Sequence, residues 1–244
     1  MIIRTFRQCT AIVGLLIVAI LLGSSPASAQ GDPYQPGSTG YDVSYPQCGS
    51  ATPTGSFGIV GVNGGRPFNY NPCLTAEYSS APTSPAPSLY INTGFSGAYR
   101  RHITANCSNL SVSVAGTKAQ RQAWAIGCTE AEGSLGYAGQ QGATTVSMWW
   151  IDVETANSWS SSDLTLNQFT IQGAVSRLGQ TGGPVGVYSN AATWQTITGA
   201  NFTPTGIDAD WLTSGGTCST TGFTASPVWL VQSTAGSVDY DLAC

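Results

Sequence analysis

The chain has 244 residues, with 8 Lys+Arg against 12 Asp+Glu and only 8% of residues charged. Lys118 is the sole lysine and no basic stripe runs through the sequence, which argues against nucleic acid as a partner. Gly, Ser and Thr dominate the polar residues instead, a weakly charged, hydroxyl-rich composition that suits neutral polymers such as glycans.

The first residues point to export. Arg4 and Arg7 precede an apolar run, Ala11–Leu22, followed by Ser24-Ser25-Pro26 and then Ala27-Ser28-Ala29. A charged start, a short apolar run and a small-residue cleavage site make a secretory signal. The run is short of the roughly 20 residues a membrane span needs. Cleavage is expected before Gln30. Residues 1–29 are thus the signal, 30–39 a short Gly/Pro/Ser-containing lead, and 40–244 a single domain. The mature chain is expected to be secreted, monomeric and free of any membrane. Its six basic residues face twelve acidic ones, a net −6.

Eight apolar runs bounded by Gly, Pro or Ser follow: Tyr41–Tyr45, Phe57–Val62, Leu89–Asn92, Val146–Glu154, Val185–Ser189, Ile207–Leu212, Val228–Gln232 and Val238–Leu242. Their β-branched and aromatic content predicts strands. Several are apolar on both faces, as in a parallel sheet covered on both sides. Helical spacing predicts helices over Lys118–Ala131, Asp163–Leu178 and Ala191–Ile197, with one or two turns over Pro72–Tyr78. Ser162 or Asp163 can cap the second of these. Ser79–Ser88 and Thr104–Thr117 read as loops. Glu130 and Glu132 read as a solvated helix face.

This alternation predicts an α/β fold, a TIM-type (β/α) barrel with a degenerate second half. The rival, a doubly wound sheet, usually carries a Gly-rich phosphate loop after its first strand. Pro46-Gln47-Cys48 stands there instead.

Of seven cysteines, Cys9 leaves with the signal. The remaining six, Cys48, Cys73, Cys107, Cys128, Cys218 and Cys244, predict three disulfides in an exported chain. Six cysteines allow 15 connectivities. Neighbour pairing is favoured, because each bridge then closes a loop of modest length. No C-x-x-C occurs and His102 is the only histidine, so no metal and no cofactor is expected.

Chemistry concentrates in carboxylates. Asp152 and Glu154 close the run Met148-Trp149-Trp150-Ile151-Asp152-Val153-Glu154. Residues i and i+2 of a strand share a face, about 6–7 Å apart along it. At the C-terminal end of a barrel strand such a pair stands where barrel active sites form. One acid can stay protonated while the other ionises. The spacing suits paired glycosidase carboxylates of either stereochemical outcome. Asp42 sits inside the first run. Asp208/Asp210 and Asp239/Asp241 are two further i, i+2 pairs. Tyr188 and Trp211 stand at strand ends and can stack on sugar rings, as can Tyr45. Asn92 and Gln232 can hydrogen-bond a neutral ligand. Arg66, Arg100, Arg101 and His102, the only basic residues on the expected mouth loops, read as solvated charges.

Gly40-Tyr41-Asp42-Val43-Ser44 with Gln47, then Ile151-Asp152-Val153-Glu154, resemble glycoside hydrolase family 25, the lysozyme or muramidase family. Val187-Tyr188-Ser189 and Trp229-Leu230-Val231-Gln232 before Val238-Asp239 follow in the family's order. The resemblance implies a barrel of five β/α units and three closing strands. It implies a glycosidase that cleaves a cell-wall, peptidoglycan-like glycan, with Glu154 as proton donor. Asp152 would stabilise or orient the reacting N-acetyl group or cation, Asp42 would line the site, and Asp208 or Asp210 would supply a fourth acid. Where the family carries a Lys-x-Thr-Glu-Gly-like segment after the second strand, this chain reads Val62-Asn63-Gly64-Gly65-Arg66-Pro67. Where a Tyr-His-like pair follows the third, it reads Ile91-Asn92-Thr93-Gly94. These departures mark a divergent relative, for which a catalytically inactive glycan-binding barrel is the alternative.

Overall fold

The computed structural model describes residues 31–244 apart from Ser214 and Ser237. The expected signal, residues 1–29, lies outside the described residues. Eight strands close a barrel in sequence order: β1 (Thr39–Val43), β2 (Gly58–Gly61), β3 (Ser88–Asn92), β4 (Trp149–Asp152), β5 (Val185–Ser189), β6 (Ala209–Leu212), β7 (Val228–Ala235) and β8 (Val238–Ala243). Strands β1 to β7 run parallel, and β8 is antiparallel to both β7 and β1. Around the barrel lie α1 (Leu74–Ser80), α2 (Ala105–Ser111), α3 (Lys118–Gln140), α4 (Leu164–Gly179) and α5 (Ala191–Thr198). The fold is an α/β barrel.

Two features depart from expectation. Among the described residues only β2 to β5 are followed by α-helices, not five strands. After β1 the chain makes a single 3-10 turn, Tyr45–Gln47, and Cys48 is then tied to Cys73 ahead of α1, which anchors the crossover without a helix. Helix α2 forms inside the expected loop Thr104–Thr117. Thr104 caps it by accepting from the Cys107 N–H, and the Cys107–Cys128 bridge fastens it to α3. The third bridge joins Cys218 to Cys244, so neighbour pairing holds for all three. Asp163 is the cap of α4, accepting from the Thr165 N–H at 3.0 Å.

The period of two along β4 divides the core into two layers. Trp149, Ile151 and Val153 face the helices and pack with Ile171, Ala174 and Leu178. Met148 and Trp150 face inward and pack with Ile59, Ala209, Trp211 and Leu230. Tyr34, in the expected lead, is buried in this inner layer. Its hydroxyl meets Ser88 Oγ at 2.6 Å and accepts from Trp150 Nε1 at 2.9 Å. It closes the end of the barrel where the parallel strands begin.

Candidate active site

The opposite end, where the parallel strands finish, is open and acidic. A cavity of ≈ 140 Å³ there is lined by Asp42, Asp152, Glu154 and Asp239, walled by Tyr90, Tyr188 and Trp211, and crossed by Gln232. Each reaches it by strand alternation. Asn92, Asp152 and Tyr188 lie side by side on β3, β4 and β5, and Tyr188 is level with Trp211 of β6. Asp42 of β1 stands directly opposite Asp239 of β8. Gly61 of β2 leaves room for the Tyr90 ring, since a Cβ there would fall 2.6 Å from Tyr90 Cζ.

Hydrogen bonds fix the acids. Gln232 Nε2 donates to Asp42 Oδ2 at 3.0 Å, and Gln232 Oε1 accepts from the Tyr188 hydroxyl at 2.8 Å. Asn92 Nδ2 donates to Asp152 Oδ2. The buried Asp152 Oδ1 has no hydrogen-bond partner. Beneath Asp42, the fully buried Asp241 accepts from Trp211 Nε1 at 2.9 Å. Its other oxygen, Oδ2, is buried with no hydrogen-bond partner.

Burial and mutual repulsion set the protonation states. Burial, with the Asp239 charge, pushes Asp42 up to about 7 despite the Gln232 bond. Burial, then Glu154, holds Asp152 well above the usual carboxylate range. Asp241 is held well above it by burial and Asp42. Glu154, half-buried two residues past the end of β4, is raised by burial and by Asp239. Such a site holds protons near neutrality beside ionisable partners, as acid/base chemistry requires.

The structure therefore gathers Asp42, Asp152, Glu154, Tyr188, Trp211 and Gln232 at one cavity, with Asn92 directly behind Asp152. Trp211 is almost wholly buried and forms the floor, edge-on to Tyr188 with ring centroids 4.6 Å apart. Tyr45 is exposed on the turn after β1 and does not line the cavity. Asp208 and Asp210 lie outside it. Strand β6 turns Ala209 and Trp211 inward, so its even-numbered residues face out. Asp208 Oδ2 accepts from the Val185 N–H at 2.9 Å. Asp210 is fully buried and accepts from the N–H and hydroxyl of Thr224 at 2.9 and 2.8 Å. Asp239 and Asp241 are the further acids instead. Their i, i+2 spacing was visible in the sequence, but it equals that of Asp208/Asp210. Tyr90 is the other lining residue not singled out there.

The expected solvated face of α3 is also corrected. Glu130 is buried against Asn63, Phe68 and Ser134. Glu132 accepts from Thr104 and Asn106 and pairs with Arg177 at 3.7 Å.

Residues 132–211 match a family described as lysozyme-like protein 1. That stretch runs from within α3 to β6 and carries Asp152, Glu154, Tyr188 and Trp211. It makes this part of the chain lysozyme-like at a coarse level. No curated protein matches. Among solved structures, an uncharacterized B. stearothermophilus protein determined at 1.07 Å is 14% identical, with a TM-score of 0.43 over 84% of this chain and 95% of that one. Among the described residues no helix is long and apolar enough to cross a membrane.

Proposed function

We propose that this chain is a secreted glycoside hydrolase that cleaves a cell-wall, peptidoglycan-like glycan by carboxylate acid/base chemistry. The observation that carries the reading is the meeting of Asp42, Asp152, Glu154 and Asp239 with three aromatic walls in one open cavity at the finishing ends of the parallel strands, where barrel active sites form. The lysozyme-like match over residues 132–211 supports it.

Glu154 is the proton donor. It is the more exposed of the β4 pair, and its raised pKa keeps a proton available. That proton passes to the glycosidic oxygen as the bond to the anomeric carbon breaks. Asp42 stabilises the positive charge that develops on the sugar, and Asp152 orients its N-acetyl group. Water then adds at the anomeric carbon and its proton leaves to a carboxylate. Tyr90 and Tyr188 offer ring faces to the sugar, and Gln232 an amide.

The test is clearance of a peptidoglycan suspension with release of reducing ends. Native protein is expected to be active and Glu154→Gln inactive. Activity surviving that substitution removes Glu154 from the role. Saturable glycan binding without product, unchanged in Glu154→Gln, replaces the enzyme with a non-catalytic glycan-binding barrel.

A further inference from the structure

A chain of hydrogen bonds leads from Asp152 out of the cavity to a helix on the outside of the barrel. Asn92 Nδ2 donates to Asp152 Oδ2. The backbone N–H of Asn92 donates to Asn63 Oδ1 at 2.8 Å, and Asn63 Nδ2 donates to Glu130 Oε1 at 2.8 Å. The members come from β4, β3, the segment after β2, and α3. All are buried: Asn63 is 0% exposed, Glu130 2%, Asp152 6% and Asn92 7%.

Both oxygens of Glu130 face N–H donors. Oε1 takes Asn63, with the Ser134 hydroxyl also in reach at 3.1 Å, and Oε2 takes the Phe68 N–H at 2.5 Å. Phe68 has φ 60, a left-handed backbone that non-glycine residues rarely adopt. That bond and the stacking of its ring on His102, centroids 4.4 Å apart, hold it there. The titratable group facing Glu130 is Tyr70, on the same segment. Only a carboxyl can accept at both ends, because an amide would turn its NH₂ toward one of the two N–H donors. Glu130 therefore decides which end of the Asn63 amide faces Asn92. The Asn63 oxygen in turn holds the backbone from which the Asn92 side chain reaches Asp152.

We propose that Glu130 is a positioning residue for Asp152, acting through Asn63 and Asn92 to fix the hydrogen bond on Oδ2 and so leave Oδ1 as the free acceptor. What Asp152 then does rests on the glycosidase reading; the relay itself does not. Such relays couple more strongly than their separate bonds suggest when every member is buried and satisfied.

The test compares Glu130→Gln, Glu132→Gln and the pair Asn63→Asp with Glu130→Gln, measuring turnover of a peptidoglycan fragment and the carboxyl carbon-13 titration of Asp152. Glu130→Gln is expected to lower kcat by about tenfold or more with KM within about twofold, a typical loss when the support of an active group is removed. It is also expected to move the Asp152 titration upward, since a donor to its carboxylate is weakened. Glu132→Gln, two residues along the same helix, leaves both readouts unchanged. The double substitution restores both, because the new amide donates to the new carboxylate, which still accepts from the Asn92 N–H. If Glu130→Gln does not fold, Asn63→Ala breaks the relay one link further on and carries the same expectation. An unmoved Asp152 titration in a folded variant, equal losses in the Glu130 and Glu132 variants, or no rescue overturns the proposal. If the native protein turns over no glycan, the glycosidase reading fails, and the Asp152 titration alone decides the relay.

Discussion

Gly127 of α3 and Gly173 of α4 pack backbone against backbone. A Cβ on Gly127 would fall 1.8 Å from the Thr170 carbonyl oxygen, and one on Gly173 2.0 Å from that of Trp124. The Thr170 hydroxyl, which donates to the Ala123 carbonyl at 3.1 Å, clamps the same crossing. This contact sets the spacing between the helix that carries Glu130 and the helix that follows Asp152 and Glu154.

Gly127→Ala is therefore expected to destabilise the fold by about 2–4 kcal/mol, because overpacking at rigid backbone outweighs the roughly 1 kcal/mol that alanine gains over glycine in a helix. Gly136, on the same helix, has nothing within 4 Å of a Cβ. Gly136→Ala should stabilise by about 0.5–1 kcal/mol. Urea unfolding of both variants measures the difference. Equal effects would mean that the helices separate without cost.

Stability is expected to rise on mild acidification. Burial pushes Glu130 up to about 7 from an ordinary 4.5. It pushes Asp42 and Asp210 up to about 7 from 3.8. The folded state therefore binds protons more tightly than the unfolded chain. The stability these groups contribute is fully present below about pH 4 and is lost as pH rises through about 7. Melting temperature should climb as pH falls from about 8 toward about 5, against the common pattern for paired carboxylates. A flat or opposite profile would show these acids ionised in the fold.

Removing the Cys107–Cys128 bridge with paired serine substitutions is expected to cost about 3 kcal/mol, from the freedom its loop regains in the unfolded chain. Its residue separation is 21, and both cysteines are fully buried beside Trp124. Hydrogen exchange should rise first in α2, which leans on α3 through that bridge, while the strands bearing the acids stay protected.

Trp211→Phe keeps a ring on the cavity floor but removes the Nε1 donor to Asp241. Leaving that buried oxygen without its donor costs about 1–3 kcal/mol. The Asp241 proton should be held more tightly still, which a carboxyl carbon-13 titration reads. Trp211→Ala is a poor test of ligand contact, because it also empties core volume worth about 3–5 kcal/mol.

Much of the barrel was legible because its signals are local. The Trp149-Trp150-Ile151 run is apolar on both faces, and alternation alone put Asp152 and Glu154 on one side. Inside and outside were not local. Ile207-Asp208-Ala209-Asp210-Trp211 alternates cleanly, yet nothing nearby says that Trp211 takes the interior and Asp210 the far side. That choice depends on Thr224, which arrives from the loop before β7 to satisfy Asp210. Glu130 was hidden for a similar reason. Its helix is alanine- and glycine-rich all round, and its partner Asn63 is far away in sequence. The α2 turn rests on a capping threonine and a disulfide, neither of which periodicity detects.

Tyr34 gives the barrel a seal supplied from outside its eight strands. On the expected boundary before Gln30, it lies only a few residues inside the mature chain, yet its hydroxyl is the acceptor for Trp150 Nε1 and a partner of Ser88. Removing that hydroxyl would leave the buried Trp150 Nε1 without its acceptor, at a cost of about 1–3 kcal/mol. A chain shortened past Tyr34 would therefore keep its eight strands but carry an unsealed lower core.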